Sequence, residues 1–158
     1  MTVLGIDLGA RRIGLAVSDA EERIALPAGT LESAGRPRDL AALRALVNER
    51  AVSRIVVGLP IHMSGGEGRE AQATRRFARE LAEATGVPVE TLDERWTSRE
   101  AERVRQETGA RRRARGRRRA RGAGDATSVD SLAATFLLRA FLASRPRAEA
   151  LQDPESAS

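Results

Sequence analysis

Val3-Leu4-Gly5-Ile6-Asp7-Leu8-Gly9, followed after Ala10-Arg11-Arg12 by Ile13-Gly14-Leu15-Ala16-Val17-Ser18, decides how this chain is read. The first stretch is a short apolar run closed by glycine, and the second alternates large with small residues, so together they specify a hairpin. On strand parity Asp7 shares a face with Gly5, while Gly14, Ala16 and Ser18 share one face of the next strand. If those two faces coincide, a carboxylate stands over a shallow area lined by small residues and open to a ligand. Asp7-Leu8-Gly9 also reads as a polar strand end entering a turn, and residue type alone leaves both readings open.

Working outward, a third strand includes Ile24 and Leu26 and runs toward Leu31. Pro37-Arg38-Asp39 opens a helix with Leu40, Leu43, Leu46 and Val47 on one face. Ile55-Val56-Val57-Gly58 reads as a buried parallel strand, and Pro60 with Gly65, Gly66 and Gly68 forms the loop after it. The spacing predicts a helix from Arg69 to Thr85 that buries Ala73, Phe77, Leu81 and Ala84, with Gly86 at its C-terminal cap. Val87 to Leu92 is the fifth strand. Thr97 or Ser98 caps a helix to about Thr108, and Thr127 or Ser128 caps a last one carrying Leu132, Ala133, Phe136, Leu137 and Phe141.

This order implies an α/β fold: a mixed five-stranded sheet, with an antiparallel three-strand meander plus parallel strands, and helices on both faces. A length of 158 residues suits one domain, expected over residues 1–144, with residues 145–158 as a disordered tail.

Composition narrows the chemistry. All 27 basic residues are Arg, which excludes lysine-dependent phosphate loops and Schiff bases, and the absence of Cys excludes thiolate nucleophiles and cysteine-based zinc sites. His62 is the only histidine, so multi-histidine metal centres are excluded too. Carboxylates, hydroxyls and Arg remain. Residues 109–124 read GARRRARGRRRARGAG and hold eight Arg without an acid; the rest of the chain is net negative although the whole is +5. Like charges at that density, with four glycines, predict a mobile solvated loop, and its Arg residues suit neutralising the phosphates of a polyanion. The N-terminus lacks a basic region ahead of its apolar run, and no uncharged apolar stretch approaches the ~20 residues a membrane span needs, so a cytoplasmic location without membrane partners is expected.

Two further acids occupy informative places. Glu94 lies at the C-terminal end of a parallel strand, the edge where open α/β sheets bind ligands, although a loop charge paired with Arg95 explains it as well. Asp130 sits in the first turn of the last helix, where a carboxylate suits the helix dipole, yet it heads a stripe of Ala133, Ala134, Leu137 and Phe141 that faces inward. Were such carboxylates to converge, they would require a cation, and a site built from carboxylates alone suits Mg²⁺ or Mn²⁺.

At this point the sequence resembles the YqgF (RuvX) family, described as pre-16S ribosomal RNA nucleases and as Holliday-junction-resolvase-like. The resemblance rests on Gly5-Ile6-Asp7-Leu8-Gly9 through Arg12-Ile13-Gly14-Leu15-Ala16-Val17-Ser18-Asp19, on Val57-Gly58-Leu59-Pro60 with Met63 and Gly65, on Asp93-Glu94-Arg95-Trp96-Thr97-Ser98, and on Val129-Asp130-Ser131-Leu132-Ala133-Ala134. Trp96 replaces the usual Leu, and His62 and Ser64 replace the common Asn and Asp. The resemblance implies an RNase H-like fold with Asp7, Glu94 and Asp130 as metal-binding catalytic residues. It implies a metal-dependent endonuclease for structured RNA that processes the 5′ end of pre-16S rRNA, with Arg12, Arg95, Arg111, Arg112, Arg113, Arg115, Arg117, Arg118, Arg119 and Arg121 contacting nucleic acid, and it allows a weak homodimer. Alternatives are a resolvase of branched DNA and a non-catalytic RNA-binding maturation factor. Asp7-Leu8-Gly9 before Gly14 also resembles the phosphate hairpin of actin-like ATPases and sugar kinases, which need two domains.

Overall fold

The computed structural model describes residues 1–61, 66, 68–95 and 128–145. The helix expected over 97–108, Trp96, His62, Ser64, the eight Arg of 109–124 and the tail beyond Arg145 lie outside the described residues. The elements are β1 (Thr2–Leu8), β2 (Arg12–Ser18), β3 (Ala25–Glu32), α1 (Arg36–Glu49), β4 (Val52–Leu59), α2 (Arg69–Thr85), β5 (Val89–Asp93) and, as the third described helix, α3 (Val129–Ser144).

Hydrogen bonding orders the strands β3-β2-β1-β4-β5. β1 runs antiparallel to β2 and β2 to β3, while β4 is parallel to both β1 and β5. This is the mixed sheet of the RNase H-like fold. A helix placed between each pair of parallel strands enforces the second half, because parallel neighbours need a long crossover. α2 ends as the sequence predicts: Gly86 takes φ 70 and its N–H donates to the Ala82 carbonyl at 2.9 Å.

Strand alternation then builds two cores. Leu4, Ile6, Ile13, Leu15, Ile55 and Val57 point to one face, where they pack with Leu43 and Val47 of α1 and Phe77 and Leu81 of α2. Val3, Ala16 and Val56 point to the other, against Ala134, Leu138 and Phe141 of α3. The second layer is thin because its strand residues are small. A Cβ on Gly5 would stand 2.9 Å from the Leu138 Cβ, so α3 lies almost on the backbone of β1.

One expected face, that of α2, differs from the one observed, and that of α3 holds in the main. In α2 the buried residues are Ala71, Thr74, Phe77, Ala78 and Leu81; Ala73 is exposed and Ala84 only partly buried. Phe77 stands at the margin of that stripe with the Arg36 guanidinium 5.0 Å from its ring centre, so a stripe centred on Phe77 is rotated too far. In α3 the expected inward stripe holds at Ala134, Leu137 and Phe141, which are buried with Ser131, Thr135 and Leu138, while Ala133 is only partly buried.

Candidate functional site

The register of β1 on β2 places Asp7 opposite Gly14 and Gly5 opposite Ala16, so the acid and the small residues share the face beneath α3. Crossing the sheet the other way, Ile6 pairs with Val57, which puts Gly58 beside Asp7 on the same face. Beyond the end of β5, the Glu94 N–H donates to the Leu59 carbonyl at 3.0 Å and keeps Glu94 in the ladder of β4. Glycine and acid therefore alternate along the edge of the sheet: Gly14, Asp7, Gly58, Glu94.

Each glycine admits a neighbour that a side chain would displace. A Cβ on Gly58 would come within 3.0 Å of Glu94 Oε1 and 3.4 Å of Leu137 Cδ2, so the missing side chain is what lets Glu94 lie across β4 toward Asp7. A Cβ on Gly14 would stand 2.0 Å from the backbone oxygen of Asp130. The first turn of α3 thus rests on β2 next to Asp7, capped by Ser128, whose Oγ accepts from the Ser131 N–H at 3.2 Å.

Electrostatics record the crowding. Burial pushes Asp7 above the ordinary carboxylate range, and the charge of Asp130 adds to it, outweighing a stabilising hydrogen bond from Glu94. Glu94 is pushed up to about 7, first by burial and then by the charge of Asp7, with smaller repulsion from Glu70 and Asp93. The hydrogen bond between the two carboxyls works in opposite directions on them, raising Glu94 and lowering Asp7, so the shared proton is favoured on Glu94. Asp130 acts on Asp7 through its charge. The acids do not form a preassembled cage: among the described residues, no three acidic, imidazole or thiol side chains stand at metal-holding distances.

Of the basic residues expected to contact nucleic acid, Arg12 is exposed at the start of β2, on the same edge of the sheet as Asp7. Arg95 is clamped by Asp93, with Nη2 2.6 Å and Nε 2.8 Å from the same carboxylate oxygen. Sequence reasoning missed Gly58 and Ser131. For Gly58 a signal existed, a glycine interrupting the β-branched run Ile55-Val56-Val57. For Ser131 none did, since a serine in a first helical turn is commonplace.

A family model described as RuvX, Holliday junction resolvase, matches residues 1–144. A Chloroflexus aurantiacus protein named "Putative pre-16S rRNA nuclease" is 40% identical over 143 residues, covering 90% of this chain and 87% of its own. An Anaeromyxobacter protein of the same name is 49% identical over 109 residues, 69% of this chain and 80% of its own. Among solved structures, T. thermophilus RuvC in complex with a Holliday junction substrate superposes with a TM-score of 0.57 at 19% identity, covering 90% of this chain and 94% of that one. That likeness is one of fold. No described helix is long and apolar enough to cross a membrane.

Proposed function

The chain belongs to the RuvX family, and on that premise we propose that it is a cytoplasmic, metal-dependent endonuclease that hydrolyses structured RNA, in the 5′ processing of pre-16S rRNA. The observation that carries this reading is the carboxyl-to-carboxyl contact of Asp7 and Glu94 at the sheet edge, with the Asp130 charge alongside. Two partly desolvated acids and a third negative charge cost stability unless positive charge joins them, which is why burial and mutual repulsion raise both Asp7 and Glu94. A donor set of carboxylate oxygens, in a chain without cysteine, fits Mg²⁺ or Mn²⁺.

Asp7, Glu94 and Asp130 would hold the ion, Asp7 and Glu94 from the contacting pair on the sheet and Asp130 from the first turn of α3. A divalent ion bound there supplies activation of water and stabilisation of the leaving oxygen in phosphodiester hydrolysis. The chain's own residues supply placement. Asp7 is fixed by the β1–β2 register, Glu94 by its bond to Leu59, and Asp130 by contact with Gly14. Arg12 and the Asp93-clamped Arg95 stand at the same edge to meet phosphates, and Arg111, Arg112, Arg113, Arg115, Arg117, Arg118, Arg119 and Arg121 extend that grip electrostatically. With three Phe, one Trp and no Tyr, recognition rests on phosphate and shape more than on stacking.

The family description favours one second reading, cleavage of branched DNA. A single assay tests both. Precursor 16S RNA and a four-way DNA junction are incubated with Mg²⁺ or Mn²⁺ and the parent chain, Asp7→Asn, Glu94→Gln or Asp130→Asn. Metal-dependent product from RNA with the parent alone is expected; equal product from all four proteins would reject the carboxylate site, and RNA binding without turnover would make the chain a maturation factor.

A further inference from the structure

Ser131 follows Asp130 in the chain and is fully buried. Its hydroxyl is shared between two strands: Oγ donates to the Leu15 carbonyl of β2 at 3.1 Å and accepts from the Gly29 N–H of β3 at 3.2 Å. Both groups are available because β3 carries a bulge there. Gly14 pairs with Thr30 but Ala16 pairs with Pro27, so Ala28 and Gly29 together oppose Leu15. Gly29 sits at φ 88, a left-handed conformation that suits glycine. The bulge turns one donor and one acceptor toward α3, and Ser131 takes both.

We propose that Ser131 is a positioning residue for the nuclease site, plugging the β3 bulge so that Asp130 is held over Gly14 beside Asp7. The inference rests on the carboxylate reading above. Further along, α3 packs on the sheet through Ala134, Leu138 and Phe141, and the Arg145–Glu22 ion pair stands at its C-terminal cap. In its first turn Val129 is 82% exposed and Leu132 only partly buried, so Ser131 is the buried side chain of that turn. Apolar packing further along α3 permits small rotations about the helix axis; two directed hydrogen bonds do not. A small shift of the first turn would carry Asp130 away from Asp7 while Leu138 and Phe141 stay in the core.

The test uses the full chain as Ser131→Ala, with Ser18→Ala as a matched control. Ser18 is also buried in β2 and its Oγ accepts from the Val3 N–H at 2.9 Å, but it lies at the opposite end of the strand from Asp7. Binding of Mn²⁺ alone is followed by electron paramagnetic resonance, and cleavage of precursor RNA by single-turnover rate, both well below the melting temperature. Loss of a residue that orients metal ligands is expected to weaken Mn²⁺ affinity and slow cleavage by about 10- to 100-fold in Ser131→Ala, with RNA affinity unchanged. Ser18→Ala should lose comparable thermal stability while keeping parental Mn²⁺ affinity and rate.

Parental Mn²⁺ affinity in Ser131→Ala, or equal losses in the two variants, would overturn the proposal. Should Ser131→Ala not fold, Ser131→Cys, which keeps the volume with a weaker donor, is measured in the same way. Asp7→Asn separates the two levels of argument. If it retains parental Mn²⁺ binding and cleavage, the carboxylate site and this inference fall together; if it loses both while Ser131→Ala is unaffected, only the role of Ser131 falls.

Discussion

Replacing Gly14 with alanine is the sharpest perturbation of the site that substitutes none of its acids. The added Cβ would stand 2.0 Å from the Asp130 oxygen and 2.5 Å from its carbonyl carbon, both backbone atoms that no rotamer can move. To reach even 3.0 Å, β2 and the first turn of α3 must part by about 1 Å. Overpacking of this kind costs about 1–3 kcal/mol, which for a chain of this size lowers the melting temperature by about 2–12 °C. The larger consequence is geometric, because displacing a reacting group by about 1 Å can cost about 100-fold in rate. Melting is read by circular dichroism and cleavage of precursor RNA at a temperature where the variant remains folded. A Gly14→Ala protein with parental melting temperature and parental cleavage rate would refute the close approach of α3 to β2 and its importance to the site.

Gly58→Ala should behave differently: its Cβ meets the flexible end of Glu94 at 3.0 Å, so stability should fall little while divalent-metal affinity, measured by titration calorimetry, weakens as Glu94 is pushed off Asp7. The raised pKa of Glu94 predicts a pH dependence in the metal-free protein. Folding favours its protonated form, so the site's penalty is absent below the ordinary value of 4.5 and complete above about 7. For this partly exposed group the loss is on the order of 1–2 kcal/mol across that window after allowing for screening. Differential scanning calorimetry should show the decline flattened in Glu94→Gln and offset at pH 8 by added Mn²⁺; a parental slope in Glu94→Gln would contradict the shared proton. Changing the eight Arg of 109–124 to Ser should lower the salt slope of RNA binding by up to about 6, about 0.7 for each lost phosphate contact, as read by binding isotherms across NaCl concentrations.

The hairpin carrying Asp7 was legible because its evidence is periodic. Large and small residues alternate in β2, a single register places Gly14 and Ala16 on the side of Asp7, and a one-residue slip would have buried the acid among Leu43 and Phe77. The α2 face was less legible. Thr74 is 5% exposed and its polarity argues outward, whereas Ala73 is compatible with either side, so the aromatic Phe77 drew the predicted stripe toward itself. The bulge in β3 and its plug could not be read at all. Gly29 announces a turn as readily as a bulge, and the hydroxyl it donates to lies 102 residues away in sequence. Long-range hydrogen bonds leave no local signature.

Burial of an acid does not by itself mark a site, and this chain contains the comparison that shows why. Asp39, in the first turn of α1, is 7% exposed and as deeply placed as core residues. Its oxygens accept from the Ser33 hydroxyl at 2.6 Å and the Ala34 N–H at 2.9 Å, so its partners are hydrogen-bond donors and the carboxylate secures the entry to the helix. Asp7 has the opposite company. Its partner is another carboxyl, its neighbour a third, and the residues on either side across the sheet are glycines that bring those acids closer instead of donors that would neutralise them. A folding pressure alone would replace such an acid or surround it with N–H groups; retaining it among acids, on small residues that serve only proximity, is the arrangement expected where a cation is to be gathered. The identity of an acid's partners, more than its depth, separates the carboxylate that builds this fold from the one proposed to act.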